Sequence, residues 1–374
     1  MAKKVVVGMS GGVDSSVAAY LLKEQGYEVI GLFMQNWDPA LNGDLADPYV
    51  DAEICQAQED FNDAKAVADE LGIEIHRVDF VAEYWDKVFK FFLEEYKKAR
   101  TPNPDILCNK YIKFRAFMDY AFEKFDPDYI AMGHYAQVDH DPVRLIRGLD
   151  DNKDQTYFLQ QLTAEQLSKT LFPIGHLEKS KVREIAREQN LATAEKKDST
   201  GICFIGERNF TKFLTSYIEK KPGDILDYET KIKVGEHDGL MFYTIGQRRG
   251  MGVGGHKQFP GVKWYVCAKD IENNILYVAN SDTPEYLDSN SAVIEDINWL
   301  GLDGDIIKSA KFRYRSKDIE ITKYEWLSDN SMRVYYPKAD AITPGQACVF
   351  YSDELCLGGG TIEEVYIDDK RLMV

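Results

Sequence analysis

Residues Ser10-Gly11-Gly12-Val13-Asp14-Ser15-Ser16 follow an apolar run, Lys4 to Met9, and open a helical stretch that closes at Gly26. A strand-to-helix turn of this kind turns backbone N–H groups and the positive end of a helix dipole toward an anion, so its natural chemistry is phosphate binding. The two glycines permit close backbone approach. Ser10, Ser15 and Ser16 add hydroxyl donors, and Asp14 is placed to hold Mg²⁺ or to cap the helix. The loop lacks both the Gly-Lys-Ser/Thr ending of a Walker A sequence and the spacing of a dinucleotide fingerprint. It therefore argues against a machine built around transfer of a γ-phosphate.

A second chemistry is carried by sulfur. Cys108 closes the Pro-stiffened segment Thr101-Pro102-Asn103-Pro104-Asp105-Ile106-Leu107-Cys108, ahead of a basic helical stretch, and Cys203 lies in Gly201-Ile202-Cys203-Phe204-Ile205-Gly206, downstream of Lys196 and Lys197. Both read as exposed loop thiols, whose thiolates are favoured by a helix start or by neighbouring cations. Their spacing alone does not separate a working pair from two unrelated loop cysteines. Cys55, Cys267, Cys348 and Cys356 read as small buried hydrophobes, and no C-x-x-C pair is present to suggest zinc or thioredoxin-like chemistry.

The elements that must position these residues alternate strand and helix. Lys4–Met9, Tyr27–Met34, Ile73–Phe80 and Asp128–Gly133 read as strands, and Ile54, Ala57, Phe61, Ala64, Ala68 and Leu71 fall at helical spacing between them. That pattern predicts a parallel sheet covered on both faces, with ligands beyond the carboxyl ends of its strands. After about Phe210 the texture changes to short β-rich runs, among them Leu240–Ile245, Lys263–Ala268, Ile275–Val278, Ala310–Tyr314, Met332–Tyr336 and Ala347–Tyr351. Pro344-Gly345 and Leu357-Gly358-Gly359-Gly360 read as turns, so the C-terminal part is expected to form a small β-barrel.

With 374 residues, the chain is long enough for two or three cores. No apolar stretch reaches membrane-spanning length and no signal-peptide pattern is seen, so a cytoplasmic location is expected. The net charge of −17 opposes a nucleic-acid partner, yet Lys and Arg cluster at 110–115, 248–249 and 308–317. A polarised surface is compatible with both facts.

The Ser-Gly-Gly-x-Asp-Ser loop resembles the PP-loop of ATP pyrophosphatases, which cleave ATP between the α and β phosphates and leave AMP on a substrate oxygen. Over nearly its full length the chain is similar to the bacterial tRNA-specific 2-thiouridylase family. The resemblance is carried by Gly8 to Ser15, Asn103-Pro104-Asp105 with Cys108, Met132-Gly133-His134-Tyr135, Lys153-Asp154-Gln155, Gly201 to Gly206, Tyr243 to Gly250, and Arg313-Tyr314.

The resemblance implies an adenine-nucleotide α-hydrolase-like domain over 1–209, a central β-rich domain over 210–283 and a tRNA-contacting β-barrel over 284–374. It implies that Gly8, Met9, Ser10, Gly11, Gly12, Val13, Asp14, Ser15, Met34 and Gly133 bind ATP, with Mg²⁺ accompanying the nucleotide and no resident metal site. Cys203 is then the persulfide carrier, Cys108 the resolving thiol, and Asp105 a proton-transfer group near the target base. Asn103, Pro104, Asp105, Lys153, Asp154, Gln155, Arg313 and Tyr314 would contact tRNA, and a cysteine desulfurase or relay protein would supply the sulfur. Synthases of 4-thiouridine or 2-thiocytidine share the loop but not the two cysteine segments, and a non-catalytic sulfur carrier would form no AMP.

Overall fold

A run of three valines near the N-terminus is the sequence of a strand buried on both sides, and the fold uses it so. A computed structural model describes residues 2–38, 41–43, 56–198, 210–253 and 258–373. β1 (Lys4–Gly8), β2 (Glu28–Gln35), β3 (Glu74–Asp79) and β4 (Tyr129–Ala131) are joined through helices that include α1 (Val13–Glu24) and α2 (Gln56–Leu71). A hairpin of β5 (Ala136–His140) and β6 (Val143–Arg147) then leaves the layer, and the short β7 (Thr170–Leu171) returns to it. The sheet is parallel throughout, in the order β3-β2-β1-β4-β7.

Alternation along β1 divides the cores. Val5 and Val7 pack with Val17 and Leu22 of α1, Ala64 and Ala68 of α2, and Val182 and Ala186 of the helix Lys179–Glu188. Val6 faces the opposite side, with Leu32, Ile130, Tyr84, Phe89, Ile112 and Phe117. Gly26, at φ +85°, follows the α1 C-cap Gln25 in the left-handed conformation expected of a helix-terminating glycine.

The middle unit is a four-stranded sheet of β8 (Gly223–Asp227), β9 (Lys233–His237), β10 (Trp264–Asp270) and β11 (Ile275–Asn280), in the order β10-β11-β8-β9. Its β8–β11 pair is parallel and the other pairs antiparallel. Leu240–Ile245, read as a strand, instead contains a 3₁₀ turn at Leu240–Phe242. Leu240 and Tyr243, three residues apart, are thereby buried in the same core, which an alternating strand would not achieve.

The C-terminal unit contains β12 (Asp288–Trp299), β13 (Ser309–Lys311), β14 (Ile319–Glu320), β15 (Lys323–Ser328), β16 (Ser331–Asp340), β17 (Ala347–Ser352), β18 (Leu355–Ile367) and β19 (Lys370–Arg371). The path β14-β13-β17-β18-β12-β16-β15 curls until its two end strands are successive stretches of chain, giving a half-barrel closed at residues 321–322. The hairpin β5–β6 joins this sheet, with Leu145 paired to Cys356 and Ile146 to Leu355.

Gly358-Gly359-Gly360, read as a turn, lies inside β18. A Cβ at these three positions would come within 2.0 Å of the Asn298 carbonyl oxygen, 2.3 Å of that of Cys348 and 2.3 Å of that of Glu295. The glycines let neighbouring backbones close in where the ladders shift register and the sheet bends. Among the described residues no helix is long and apolar enough to cross a membrane.

Candidate active site

Strand order reverses between β1 and β4, and the Ser10–Ser16 loop occupies the carboxyl end of β1 at that crevice. Gly11 has φ +74°, and a Cβ there would lie 2.1 Å from the Asp60 carbonyl oxygen. Gly133, just beyond β4, would place a Cβ 2.8 Å from the Ser15 backbone nitrogen. Any larger residue at either position would push the loop off its supports. Gly12 is the N-cap of α1 and no side chain caps the helix, so no capping group competes for the anion-binding N–H groups of its first turn.

The serines divide their work. The Ser15 hydroxyl accepts from the Ser10 N–H at 3.2 Å and donates to the Gly12 carbonyl at 3.0 Å, which ties the loop to the helix. Ser16, expected to offer a donor to phosphate, is buried instead; it donates to Gly12 at 2.9 Å and accepts from Thr193 at 2.9 Å. Met9 and Val13 are also buried, so only their backbone is available to a ligand. A Cβ built on Gly8 would lie 3.7 Å from Met34 Cε and 2.6 Å from Met132 Sδ, so Gly8, Met34 and the β4 end bearing Gly133 are neighbours.

Asp14 neither caps the helix nor stands alone. It accepts from the Tyr135 hydroxyl at 2.7 Å and from Lys179 Nζ at 2.7 and 2.8 Å. Lys179 also pairs with Asp198 at 2.9 Å, and Asp198 is held by Lys153 at 2.7 Å and Arg183 at 2.5 Å. Partial burial would raise the Asp198 carboxyl, but hydrogen bonds from Lys153 and Lys179 overcome it and hold the group far below the usual carboxylate range. Burial and then the Asp14 charge raise the Tyr135 hydroxyl far above its ordinary value, so it remains a donor. Lys179, Tyr135 and Arg183 were missed as site residues. The run Glu178-Lys179-Ser180-Lys181 looks in sequence like any solvated helix start, and nothing local ties it to a loop 165 residues away.

Cys108 overturns its reading as an exposed loop thiol. Asn103 caps a continuous helical run, Pro104–Leu107, then Cys108–Ala116 wound as a π-helix, then Phe117–Phe125, and its side chain accepts from the Asp105 N–H at 3.1 Å. The capped loop thus ends before Cys108, whose side chain lies at 0% exposure among Ile106, Ile112 and Phe114. Cys203 and Cys55 lie outside the described residues. Cys267, Cys348 and Cys356 are buried thiols as expected, and burial pushes Cys267 and Cys356 up to about 12. No disulfide is formed among the described residues.

Three buried polar side chains flank these positions without full pairing: Asn36 (Nδ2 and Oδ1) beyond Met34, Asn109 (Oδ1) beside Cys108, and His134 (Nδ1) beside Gly133. Leaving such a group unpaired costs about 1–3 kcal/mol, and functional sites are where that cost is tolerated. Burial, followed by the nearby Lys113 charge, lowers His134 well below its ordinary value and keeps the ring neutral.

Of the residues expected to contact RNA, Asn103, Pro104, Asp105, Lys153 and Gln155 are partly accessible, although Gln155 Oε1 accepts from the Tyr135 N–H at 3.0 Å and so braces the loop after β4. Asp154 is corrected: it is buried, accepts from the Gly148 N–H at 3.2 Å and the Thr156 hydroxyl at 2.9 Å, and faces Arg147 and Lys311. Arg313 lies in the bend after β13, where its guanidinium donates to the Ile245 and Ala341 carbonyls at 2.9 and 2.7 Å and to Thr343 Oγ1 at 2.6 Å. It fastens the middle unit to the curled sheet through Nη2. Tyr314 packs 4.3 Å from Phe158 by ring centroid. Arg115, Arg248, Arg249, Lys308, Arg315 and Lys317 are the exposed members of the basic clusters.

Three family models match the chain: a tRNA methyl transferase HUP domain over residues 3–207, a tRNA methyl transferase PRC-barrel domain over 211–280, and an aminomethyltransferase β-barrel domain over 289–362. The tRNA-specific 2-thiouridylase MnmA of Mycoplasmopsis synoviae is 56% identical over 373 residues, spanning 99% of this chain and 98% of that protein. The proteins of the same name from Acholeplasma laidlawii and Bacillus velezensis are 54% and 53% identical, with 100% and 99% of this chain covered and 100% and 97% of theirs.

Proposed function

The chain belongs to the bacterial tRNA-specific 2-thiouridylase family of PP-loop enzymes, and we propose that it uses ATP to replace the C2 oxygen of the wobble uridine of tRNA by sulfur. It is a sulfurtransferase, and ATP use follows from its family. The observation that carries the finer reading is the phosphate loop without a Walker lysine, set at the β1–β4 crevice on the same sheet edge as the segment bearing Cys108.

The uracil C2 oxygen is a poor leaving group. Attack of that oxygen on the α-phosphate of ATP forms an O–P bond, expels pyrophosphate and leaves AMP as the leaving group on C2. The loop of Gly8–Ser15, with Met34 and Gly133, binds the nucleotide, and the first turn of α1 receives the pyrophosphate. Lys179 is the cation best placed to exchange Asp14 and Asp198 for phosphate oxygens, the task a Walker lysine performs elsewhere. Mg²⁺ accompanying ATP would neutralise phosphate charge, and the Asp14 and Asp198 carboxylates, oxygen donors of the type it prefers, would hold it.

The terminal sulfur of a Cys203 persulfide then attacks C2, and AMP departs. Cys108 attacks Cys203 Sγ, expels the thiolate of 2-thiouridine and closes a Cys108–Cys203 disulfide, which a thiol reductant reopens. Asp105 moves the proton at the target base, and Asn103 with Pro104 shapes its seat. Lys153, Gln155 and Tyr314, with the exposed arginines, supply the RNA-facing surface. A cysteine desulfurase or relay protein loads Cys203. The three units are proposed to span 1–209, 210–283 and 284–374, and the enzyme to act in the cytoplasm.

The test is nucleoside mass spectrometry of tRNA incubated with the protein, ATP, Mg²⁺ and a persulfide source. Expected are 2-thiouridine and one AMP per turnover. Cys203→Ser should lose both the gain of about 32 Da for one added sulfur and thiolation, whereas Cys108→Ser should keep the mass gain and lose turnover. ADP as the product, 4-thiouridine as the nucleoside, or thiolation in both serine variants would overturn the reading.

A further inference from the structure

β2 ends at Gln35, whose carbonyl accepts the Phe80 N–H at 2.8 Å, and Asn36 is the first residue past the carboxyl end of the strand. It is 1% exposed, and both Nδ2 and Oδ1 are buried without a hydrogen-bond partner. No other side chain among the described residues leaves two polar atoms in that state. The next residue, Trp37, is wedged between Phe89, Tyr84 and Phe213, with ring centroids 4.9, 6.2 and 6.1 Å away, and so anchors the backbone at the end of β2.

A buried carboxamide presents a donor and an acceptor in one plane, and its best complement is the edge of a nucleobase; Asn pairs with adenine through the exocyclic amine and a ring nitrogen. In doubly wound sheets that bind phosphate at the first turn, the remainder of the nucleotide crosses the end of the next strand. Here that strand is β2, and Asn36 stands two residues beyond Met34, whose Cε neighbours Gly8 at the root of the phosphate loop. We propose that the Asn36 side chain reads the adenine base, making it a specificity-determining residue. This rests on ATP being the nucleotide of the site.

The experiment compares ATP with inosine triphosphate, in which a carbonyl replaces the exocyclic amine, by equilibrium binding to the full chain. Wild type should prefer ATP by about 10- to 100-fold, the usual worth of a bidentate pair. In Asn36→Leu and Asn36→Ala that preference should collapse toward unity as ATP affinity falls by the same factor. Asn36→Leu should melt no lower than wild type, because the leucine replaces a group that has no partner in the unliganded fold. An ATP preference retained in both variants would overturn the proposal, as would a lower melting temperature with unchanged nucleotide selectivity. Unchanged ATP affinity with a raised KM for tRNA would assign Asn36 to the target base and overturn it too. Nucleotide binding is read without turnover, so a wild type that discriminates ATP but makes no thiouridine would defeat the functional reading and leave this one standing.

Discussion

At the phosphate loop, Lys153, Lys179 and Arg183 converge on Asp198, and Lys179 reaches on to Asp14. Where the hairpin β5–β6 meets the curled sheet, Arg147 and Lys311 face Asp154 and Asp318. The first cluster has three cations for two carboxylates, both of which are 32% exposed; the second balances two against two, with Asp154 only 2% exposed and Asp318 at its rim. On the function proposed above, the surplus positive charge suits an incoming anion, whereas the second group, balanced around a buried carboxylate, has its partners already. On that reading, lysines and aspartates of the same sequence character serve binding in one place and assembly in the other.

Removing a cation from each cluster gives the sharpest contrast. Lys179→Gln should lower AMP formation about 10²- to 10³-fold, while the melting temperature moves little because its partners stay in reach of water. A loss under tenfold in a direct AMP assay would place Lys179 among the merely structural charges. Arg147→Met should reverse the pattern. It leaves Asp154 short of a buried partner and should cost about 3–5 kcal/mol of stability, measured by denaturant unfolding, with ATP affinity unaltered. An unmoved midpoint would mean that the seam does not depend on its charges.

A lone charge sharpens the comparison further. Lys269 of β10 is buried, donates from Nζ to the Ala99 carbonyl at 2.6 Å, and is lowered by burial to about 7. Between that value and the ordinary 10.5 the unfolded chain binds a proton that the folded chain does not, so stability should rise with pH across this window. The gain from about pH 7.5 to 9.5 should be roughly 2–3 kcal/mol, and Lys269→Met should abolish the slope. Urea unfolding at the two pH values decides it, and a flat wild-type profile would show that the amine stays charged when folded.

Much of the nucleotide half was legible in sequence because its signals are local. The valine run, the glycine loop and the Gly26 stop each announce themselves within a few residues, and the strand positions of the sheet followed. Burial and long-range pairing are not local properties, and the misreadings lie there. Cys108 looked exposed because prolines precede it, but Asn103 and Pro104 start a helix that carries the thiol inward. Gly358-Gly359-Gly360 carries the composition of a turn, and only the carbonyls of Asn298, Cys348 and Glu295 pressing against it show why a strand needs it. Arg313 lies in a basic run, yet three acceptors from other segments claim it. Lys179 has no sequence signal, since its partners come from the two ends of the N-terminal unit.

The pairing of β6 with β18 also sets an order of events at the ribosome. Residues 145 and 146 emerge early, but their partners Cys356 and Leu355 are translated about two hundred residues later. At roughly 5–20 residues per second the wait is roughly 10–40 s. For that time the outer edge of the hairpin is an unfilled β-edge beside a nascent nucleotide-binding unit, open to pairing with another chain. The last long strand to be made is the one that covers it.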